Sequence, residues 1–404
     1  MTPGLAFFYG GLVRASSVVS MMMMSFGALA LVSILWIAYG YAIAFSGAGT
    51  SGYLGVDGVL GIDIENLFLN KFLDERMSFD LVFAAFQGTF AVITVALISG
   101  AIADRARFGS WMLFAGIWAT LVYFPIAGWV FNFTLDENGS IVDGGWLVKD
   151  VGLLDFAGGT VVEVGSGAAA LAVALVLGKR FGFRKGMYAP HNVPLTLIGA
   201  AILWFGWFAF NAGSELAADG IASLAFLNTL IAPAAAMLSW AAFERITAGK
   251  PTAVGIASGA IAGAVAITPS CAFLDPVWAI VLGLLVGVTC AWAIELKFAL
   301  GFDDSLDVVG IHLVGGIVGT LFIGLFGRGV GLFFGNSADQ LVAQAIGVLT
   351  IGLYSFVMAW LIAFGIEKTI GFRVRSVEEE AGIDPIQHGQ LAYHADDPRW
   401  GANK

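Results

Sequence analysis

The chain has 404 residues, of which 59% are hydrophobic and only 12% are charged; its mean hydropathy is +0.88 and its formal net charge is −10. Soluble globular domains carry about 25% charged residues, so this composition excludes a soluble protein and predicts an all-α polytopic membrane protein. The sequence contains no recognisable nucleophile–base set, glycine-rich phosphate loop or zinc-ligand cluster. We therefore expect no enzyme activity, no cofactor, no metal site and no nucleic-acid partner.

Apolar windows of about 20 residues, the length that crosses a bilayer, predict ten full membrane spans. They lie at roughly 20–46, 80–103, 109–133, 155–178, 193–214, 220–243, 252–273, 277–296, 306–327 and 340–366. A shorter apolar run at 3–13 ends before Arg14, and we interpret it as a first helix whose outer half belongs to a missing upstream segment. The prediction is eleven transmembrane helices, the first one truncated.

Positive charge is distributed unevenly over the predicted loops. With the N-terminus placed outside, ten Lys and Arg residues fall in inside loops and four in outside loops. The inside set is Arg14, Arg105, Arg107, Lys179, Arg180, Arg184, Lys185, Arg245, Lys250 and Lys297, and the outside set is Lys71, Arg76, Lys149 and Arg328. The positive-inside rule therefore predicts that the N-terminus is outside and the C-terminus inside, as an odd number of spans also requires.

Two predicted spans each carry one ionisable side chain inside an apolar run. Glu163 follows Asp155 by eight residues, and His312 follows Asp304 by eight. A charge at this depth costs about 2.5 to 3.5 kcal/mol, so such residues line a cavity or pair with one another. We predict that Glu163 and His312 form a proton-capable pair in a pore; a buried ion pair that only fixes helix packing is the alternative.

The matched offsets also predict internal symmetry. The second segment is the fifth span after the first, so the two run antiparallel, as in an inverted-topology repeat. We expect a transmembrane domain at 1–366, made of repeats at about 1–180 and 193–328 and a final helix at 340–366. The polar, acidic segment 367–404 reads as a cytoplasmic tail, either available for docking or gating or simply solvated.

Several segments together carry a family resemblance. They are MTPGLAFFYGGLV, FQGTFAVITVALISGAIADRARF, DFAGGTVV, GWFAFNAGS and DDSLDVVGIH, followed by EAGIDPIQHGQLAY in the tail. In this order and spacing they resemble the ammonium transporter (Amt/Mep/Rh) family, in particular its bacterial and archaeal Amt branch. The resemblance implies a homotrimer in the inner (plasma) membrane, with one pore per protomer for ammonium or ammonia, and a PII-type regulatory protein as a further partner at the cytoplasmic face.

The resemblance also assigns residues to the pore and its outer end. Glu163 stands where most members have the first of two pore histidines, and His312 matches the second. The implied outer ammonium site and aromatic gate comprise Phe86, Phe90, Phe131, Phe210 and Ser214. Asp155 matches an aspartate near the outer vestibule, although an N-cap is its simpler role and that of Asp303 or Asp304. Trp207 matches a residue near the pore wall.

This sequence departs from the family pattern at two site positions and in its first helix. Glu replaces His at position 163, as in some fungal Mep proteins, which brings a carboxylate into the proton chemistry. Phe replaces Trp at position 131, which weakens the aromatic face offered to a cation. The chain also contains 33 phenylalanines, and only motif context separates the site aromatics from packing residues.

The resulting hypothesis is an ammonium transporter. Ammonium is recruited outside at aromatic faces and a hydroxyl, loses its proton on entry, and passes Glu163 and His312 as ammonia with a separately relayed proton. An ammonium sensor and an uncharged channel for ammonia or carbon dioxide are the alternatives. A fused output domain is typical of such sensors and none is recognisable, and a pore carboxylate argues against the uncharged channel.

Overall fold

The structure is a computed structural model that describes residues 1–47, 52–73, 79–137, 141–184, 189–335 and 337–393. Within these ranges, nine helical segments are long and apolar enough to cross a membrane. They are Ala15–Ala44, Phe79–Ile102, Phe108–Phe131, Gly159–Leu177, Val193–Glu215, Gly220–Thr247, Pro276–Leu300, Val309–Phe326 and Asp339–Thr369. The chain is therefore an all-helical, multi-pass membrane protein, as its composition predicts.

Two predicted spans are shorter in the structure than a bilayer requires. The first helix is Thr2–Leu12, and the span predicted at 252–273 is the 15-residue helix Ala253–Ile267. The second of these ends at Ile267 because Pro269 has no N–H to continue the helical hydrogen bonds. The count of eleven spans and the N-out orientation stay predictions.

Two small hairpins, which the periodicity analysis did not predict, lie between the first long helices. Strand Tyr53–Val56 pairs antiparallel with Leu60–Asp63, and strand Phe133–Leu135 pairs antiparallel with Ile141–Gly144. The backbone N–H of Trp146 donates to the carbonyl of Gly58, which joins the first hairpin to the segment after the second. Short helical turns flank them at Ile64–Phe72 and Trp146–Lys149.

The helices that carry Glu163 and His312 both begin with a π-helical turn and pack directly against each other. These turns span Gly159–Val164 and Val309–Leu313. A Cβ on Gly316 would lie 2.9 Å from the Cβ of Glu163, so the two backbones approach closely only because glycine stands there. Single π-turns inside α-helices are frequent at functional sites, because they re-aim side chains.

A buried ionic cluster joins three loops at the opposite end of the Glu163 helix from its π-turn. Arg180 donates from Nε and Nη2 to the two carboxylate oxygens of Asp303, both at 2.9 Å, and from Nη1 to Asp104 at 3.0 Å. Arg105 donates to the Ser305 hydroxyl and to the Asp303 carbonyl. Asp303 thus pairs with an arginine instead of capping a helix, the role that its position before an apolar run predicts.

The described part of the C-terminal tail packs against the same end of the bundle. It contains two short helices, Ser376–Ala381 and Asp384–His388. The Asp384 carboxylate accepts the backbone N–H groups of Val19 and Ser20, at 2.9 and 2.8 Å. Glu379 accepts from the Phe181 N–H and pairs with Arg373. The predicted tail extends to 404, and residues 394–404 lie outside the described ranges.

We expect Asp303→Asn to destabilise the protein by about 3–5 kcal/mol, because it leaves the buried Arg180 guanidinium without its bidentate partner. The measurement is the thermal unfolding midpoint in detergent. Asp143→Asn is the control, since it breaks a solvent-exposed pair with Lys149 and should leave the midpoint unchanged. An Asp303→Asn protein with the same thermal unfolding midpoint as the wild type would contradict a stabilising role for the cluster.

Candidate functional site

Glu163 and His312 are in direct contact, although 149 positions separate them in the chain. The Nδ1 atom of His312 lies 2.6 Å from Oε2 of Glu163, and the two residues are 3% and 1% exposed. At this distance the two side chains share a short hydrogen bond, and which of them donates depends on the tautomer of His312. A carboxyl group and an imidazole are both side chains that can accept and donate protons.

Asp155 holds the π-turn that presents Glu163. Its Oδ1 accepts the N–H groups of Gly158 and Gly159, and its Oδ2 accepts the N–H and hydroxyl of Thr160 and the N–H of Val161. Burial raises the pKa of the Asp155 carboxyl above its ordinary value, while these donors oppose the shift. Gly158 has φ +108°, a conformation that a side chain would strain. Gly158 occupies the N-cap position, and Asp155 binds the free N–H groups of this turn from three residues before it.

The cavity beside the pair is almost entirely apolar. It is bounded by side chains of the first helix and its neighbours: Met1, Leu5, Phe8, Ile93, Leu97, Val162, Leu203, Trp207, Phe210 and Ile261. The Trp207 indole N–H is satisfied by the Thr268 hydroxyl at 2.8 Å, which in turn donates to the Ala264 carbonyl. Glu163 and His312 are therefore the polar side chains of a cavity that is otherwise lined by apolar residues and by an indole N–H that is already bonded.

Stacked aromatic rings lie on one side of this cavity. The rings of Phe90 and Phe210 are parallel within 18° with centroids 4.0 Å apart, and both residues are buried. Phe86 lies 4.9 Å from Phe90 in an edge contact, and Phe131 lies 6.2 Å from it. The structure thus brings together the four phenylalanines that the family resemblance assigns to the outer site.

Ser214 lies one turn beyond Phe210 at the end of the same helix. Its hydroxyl donates to the Phe210 carbonyl at 2.8 Å, so the lone pairs of Oγ stay available to accept a hydrogen bond. The aromatic faces and this acceptor match the needs of a small cation that carries N–H donors.

The sequence analysis did not identify Thr268, although it orients Trp207 in the passage wall. A threonine before a proline at the end of an apolar run carries no distinctive pattern. Among the described residues, no group of three or more His, Cys, Asp or Glu side chains is placed to hold a metal ion.

Comparison with known proteins places this geometry in a family. Residues 1–393 match the model of the Ammonium Transporter Family. An ammonium transporter of Mycobacterium bovis is 47% identical over 97% of this chain and 87% of its own length. The crystal structure of Saccharomyces cerevisiae Mep2 superposes with a TM-score of 0.84 at 33% identity, covering 98% of this chain and 88% of Mep2. A solved structure described as a sensor Amt protein gives a TM-score of 0.85 at 29% identity, covering 95% and 93%.

We expect Asp155→Ala to lower the thermal unfolding midpoint in detergent, because it leaves several buried donors of the π-turn unsatisfied. Loss of an ordinary cap costs about 1 kcal/mol, and unsatisfied buried groups add to that cost. The comparison variant is Asp219→Ala, which removes an exposed cap that accepts only the Ile221 and Ala222 N–H groups. Equal shifts in the two variants would contradict a special role for Asp155 in holding the turn.

Proposed function

Because this chain belongs to the ammonium transporter family, we propose that it moves ammonium-derived nitrogen into the cell past the Glu163–His312 pair. The observation that carries the proposal is the 2.6 Å contact between a carboxylate and an imidazole in an apolar, buried passage behind stacked phenylalanine rings. Neutral ammonia can cross such a passage, whereas the proton needs a separate carrier. Two titratable groups in contact supply that carrier.

Recruitment takes place at the outer aromatic site. A desolvated cation gains about 2 kcal/mol from an aromatic face, and Phe86, Phe90 and Phe131 supply such faces. Ser214 accepts one ammonium N–H through its free lone pairs, because its own hydrogen is engaged by the Phe210 carbonyl. Phe at position 131 in place of Trp gives a weaker attraction, so this site has modest affinity. Trp207 forms part of the cavity wall behind this site. Asp155 holds the turn that carries Glu163.

Deprotonation follows from the low polarity of the passage. Transfer from water into such a region disfavours the charged form of an amine, so ammonium gives up a proton as it passes Phe90 and Phe210. One N–H bond of ammonium breaks, and the proton enters the Glu163–His312 pair as an O–H or N–H bond. Ammonia continues inward, the proton leaves the pair on the inner side, and one positive charge crosses per nitrogen atom.

The other components of this proposal come from the family. They are a homotrimer with one passage per protomer, residence in the inner (plasma) membrane, and a PII-type protein that docks at the cytoplasmic face. The tail and the loops that it contacts lie at the end of the bundle where the positive-inside rule places the cytoplasm.

An ammonium sensor is the second candidate, since one of the solved structures that resemble this chain is described as a sensor Amt protein. A sensor needs to bind the ligand but not to pass it quickly. The rate of uptake into proteoliposomes distinguishes the two functions. A sensor binds ammonium in detergent, yet proteoliposomes that contain it take up nitrogen no faster than empty ones.

We expect proteoliposomes containing the wild-type protein to take up ammonia faster than protein-free vesicles after an ammonium pulse. A pH-sensitive dye in the lumen measures uptake, and growth of a transporter-deficient strain on low ammonium provides an independent check. Binding without uptake would reject the transporter in favour of the sensor.

Glu163→Gln should reduce the ammonium-evoked current at least about tenfold, because the amide still accepts the hydrogen bond from His312 but cannot take a proton. Recordings on a solid-supported membrane measure the current, and the dye measures uptake in the same preparation. Glu137→Gln makes the same chemical change at an exposed position and should behave as the wild type. A Glu163→Gln variant with the full wild-type current would contradict a role for the Glu163 carboxylate in carrying the proton.

A further inference from the structure

The end of one membrane helix fixes the position of Thr268. The helix Ala253–Ile267 ends two residues before Pro269, and Thr268 is the residue between them. The backbone N–H of Thr268 donates to the Ala264 carbonyl at 3.2 Å, and its hydroxyl donates to the same carbonyl at 2.7 Å. Thr268 is fully buried. Its hydroxyl oxygen is therefore held in one place inside the bundle.

This hydroxyl also accepts a hydrogen bond from an indole. The Nε1–H group of Trp207 donates to Oγ1 of Thr268 at 2.8 Å. A hydroxyl has one hydrogen and two lone pairs, so the bond that it donates to Ala264 leaves its lone pairs for the indole. Trp207 is buried, and its N–H would be unsatisfied without this acceptor. The two hydrogen bonds together fix the orientation of the indole ring.

The residue after Thr268 contacts the turn that carries Glu163. Pro269 packs so closely on Gly159, the first residue of that turn, that a Cβ on Gly159 would clash with the proline ring. The Pro269 carbonyl also accepts the Phe156 N–H at 3.1 Å. The end of this helix therefore positions the indole and the turn of Glu163 relative to each other.

Trp207 forms a wall that is shared by the stacked rings and the Glu163–His312 pair. Its ring lies in an edge contact with the ring of Phe210, with centroids 6.1 Å apart and planes 71° apart. Phe210 in turn stacks on Phe90. Trp207 and Phe210 line the same cavity as Glu163 and His312. A rotation of the indole would therefore change the shape of this cavity directly behind the stacked rings.

The cavity is small enough for the position of its wall to select molecules by size. Its volume is about 10 Å³, close to the smallest space that holds one water molecule. Ammonia has nearly the size of water, whereas methylamine carries an additional methyl group and fits only if the wall moves. One such carbon changes the selectivity of an apolar pocket by about 10- to 200-fold.

We propose that Thr268 is a specificity-determining residue, which holds the Trp207 indole in place and thereby excludes methylated amines while ammonia passes. This inference rests on the proposed transport of ammonium-derived nitrogen. Thr268 acts through the indole and does not line the cavity itself, so it is a positioning residue.

Thr268→Val tests the proposal, because valine has the shape of threonine but no hydroxyl. The measurement is the ratio of the initial uptake rates of ammonium and methylammonium into proteoliposomes, with a pH-sensitive dye in the lumen. We expect Thr268→Val to lower this ratio at least about fivefold, and Thr268→Ser, which keeps the hydroxyl, to retain the wild-type ratio. The ammonium concentration at half-maximal uptake should stay unchanged, since the outer aromatic site is intact. A wild-type ratio in Thr268→Val would overturn the proposal.

Thr289→Val is the matched control. The Thr289 hydroxyl makes the same hydrogen bond to the carbonyl four residues before it, that of Leu285 at 2.9 Å, but at an exposed position of a membrane helix. This variant should keep the wild-type ratio. A decrease equal to that of Thr268→Val would overturn the proposal, because loss of any such hydroxyl would then have the same effect.

Trp207→Phe provides a second test that does not depend on the fold tolerating a change at Thr268. It removes the N–H donor, so we expect it to lower the ratio by itself and to abolish any further effect of Thr268→Val in the double variant. A wild-type ratio in Trp207→Phe, or independent effects that multiply in the double variant, would overturn the proposal. Equal uptake of ammonium and methylammonium by the wild type would also overturn it. Absence of ammonium uptake by the wild type would instead reject the proposed transport function.

Discussion

The hydrogen bond between Glu163 and His312 is the interaction on which the rest of the structure depends. Each group alone would be an expensive charge in an apolar surrounding, and each reduces that cost for the other because the two differ in sign when both are ionised. The contact joins two helices that are distant in the chain. We propose that it also relays a proton.

The surrounding fold can be understood as support for this contact. Glycine at position 316 lets the two helix backbones approach closely enough for short side chains to meet. A π-turn opens each helix and sets the direction of the side chain, and an aspartate holds each turn from behind. The ionic cluster around Arg180 and Asp303 joins the loop after the Glu163 helix to the segment just before the His312 helix. The stacked rings of Phe90 and Phe210 lie on one side of the cavity beside this contact.

The long helices and the contact between Glu163 and His312 follow from the sequence for identifiable reasons. An apolar run of about 20 residues is a strong signal, and within the described ranges nine such runs correspond to nine long helices. A single ionisable side chain inside such a run stands out because the surroundings penalise its charge, which is how Glu163 and His312 were identified. The hairpins have no comparable signal, since strands of three or four residues show too little alternation. The pairing of Asp303 with Arg180 and the position of Thr268 depend on loops that meet only in three dimensions.

The central claim is that the passage separates ammonia from a proton and moves both. Its most direct test is the ratio of net charge to nitrogen carried by the wild-type protein, with the integrated current and the ammonia uptake of one proteoliposome preparation measured over a series of ammonium pulses. The account predicts one elementary charge for each nitrogen atom at every pulse size. Nitrogen uptake with no accompanying charge would contradict it, because the Glu163–His312 pair would then carry no proton across.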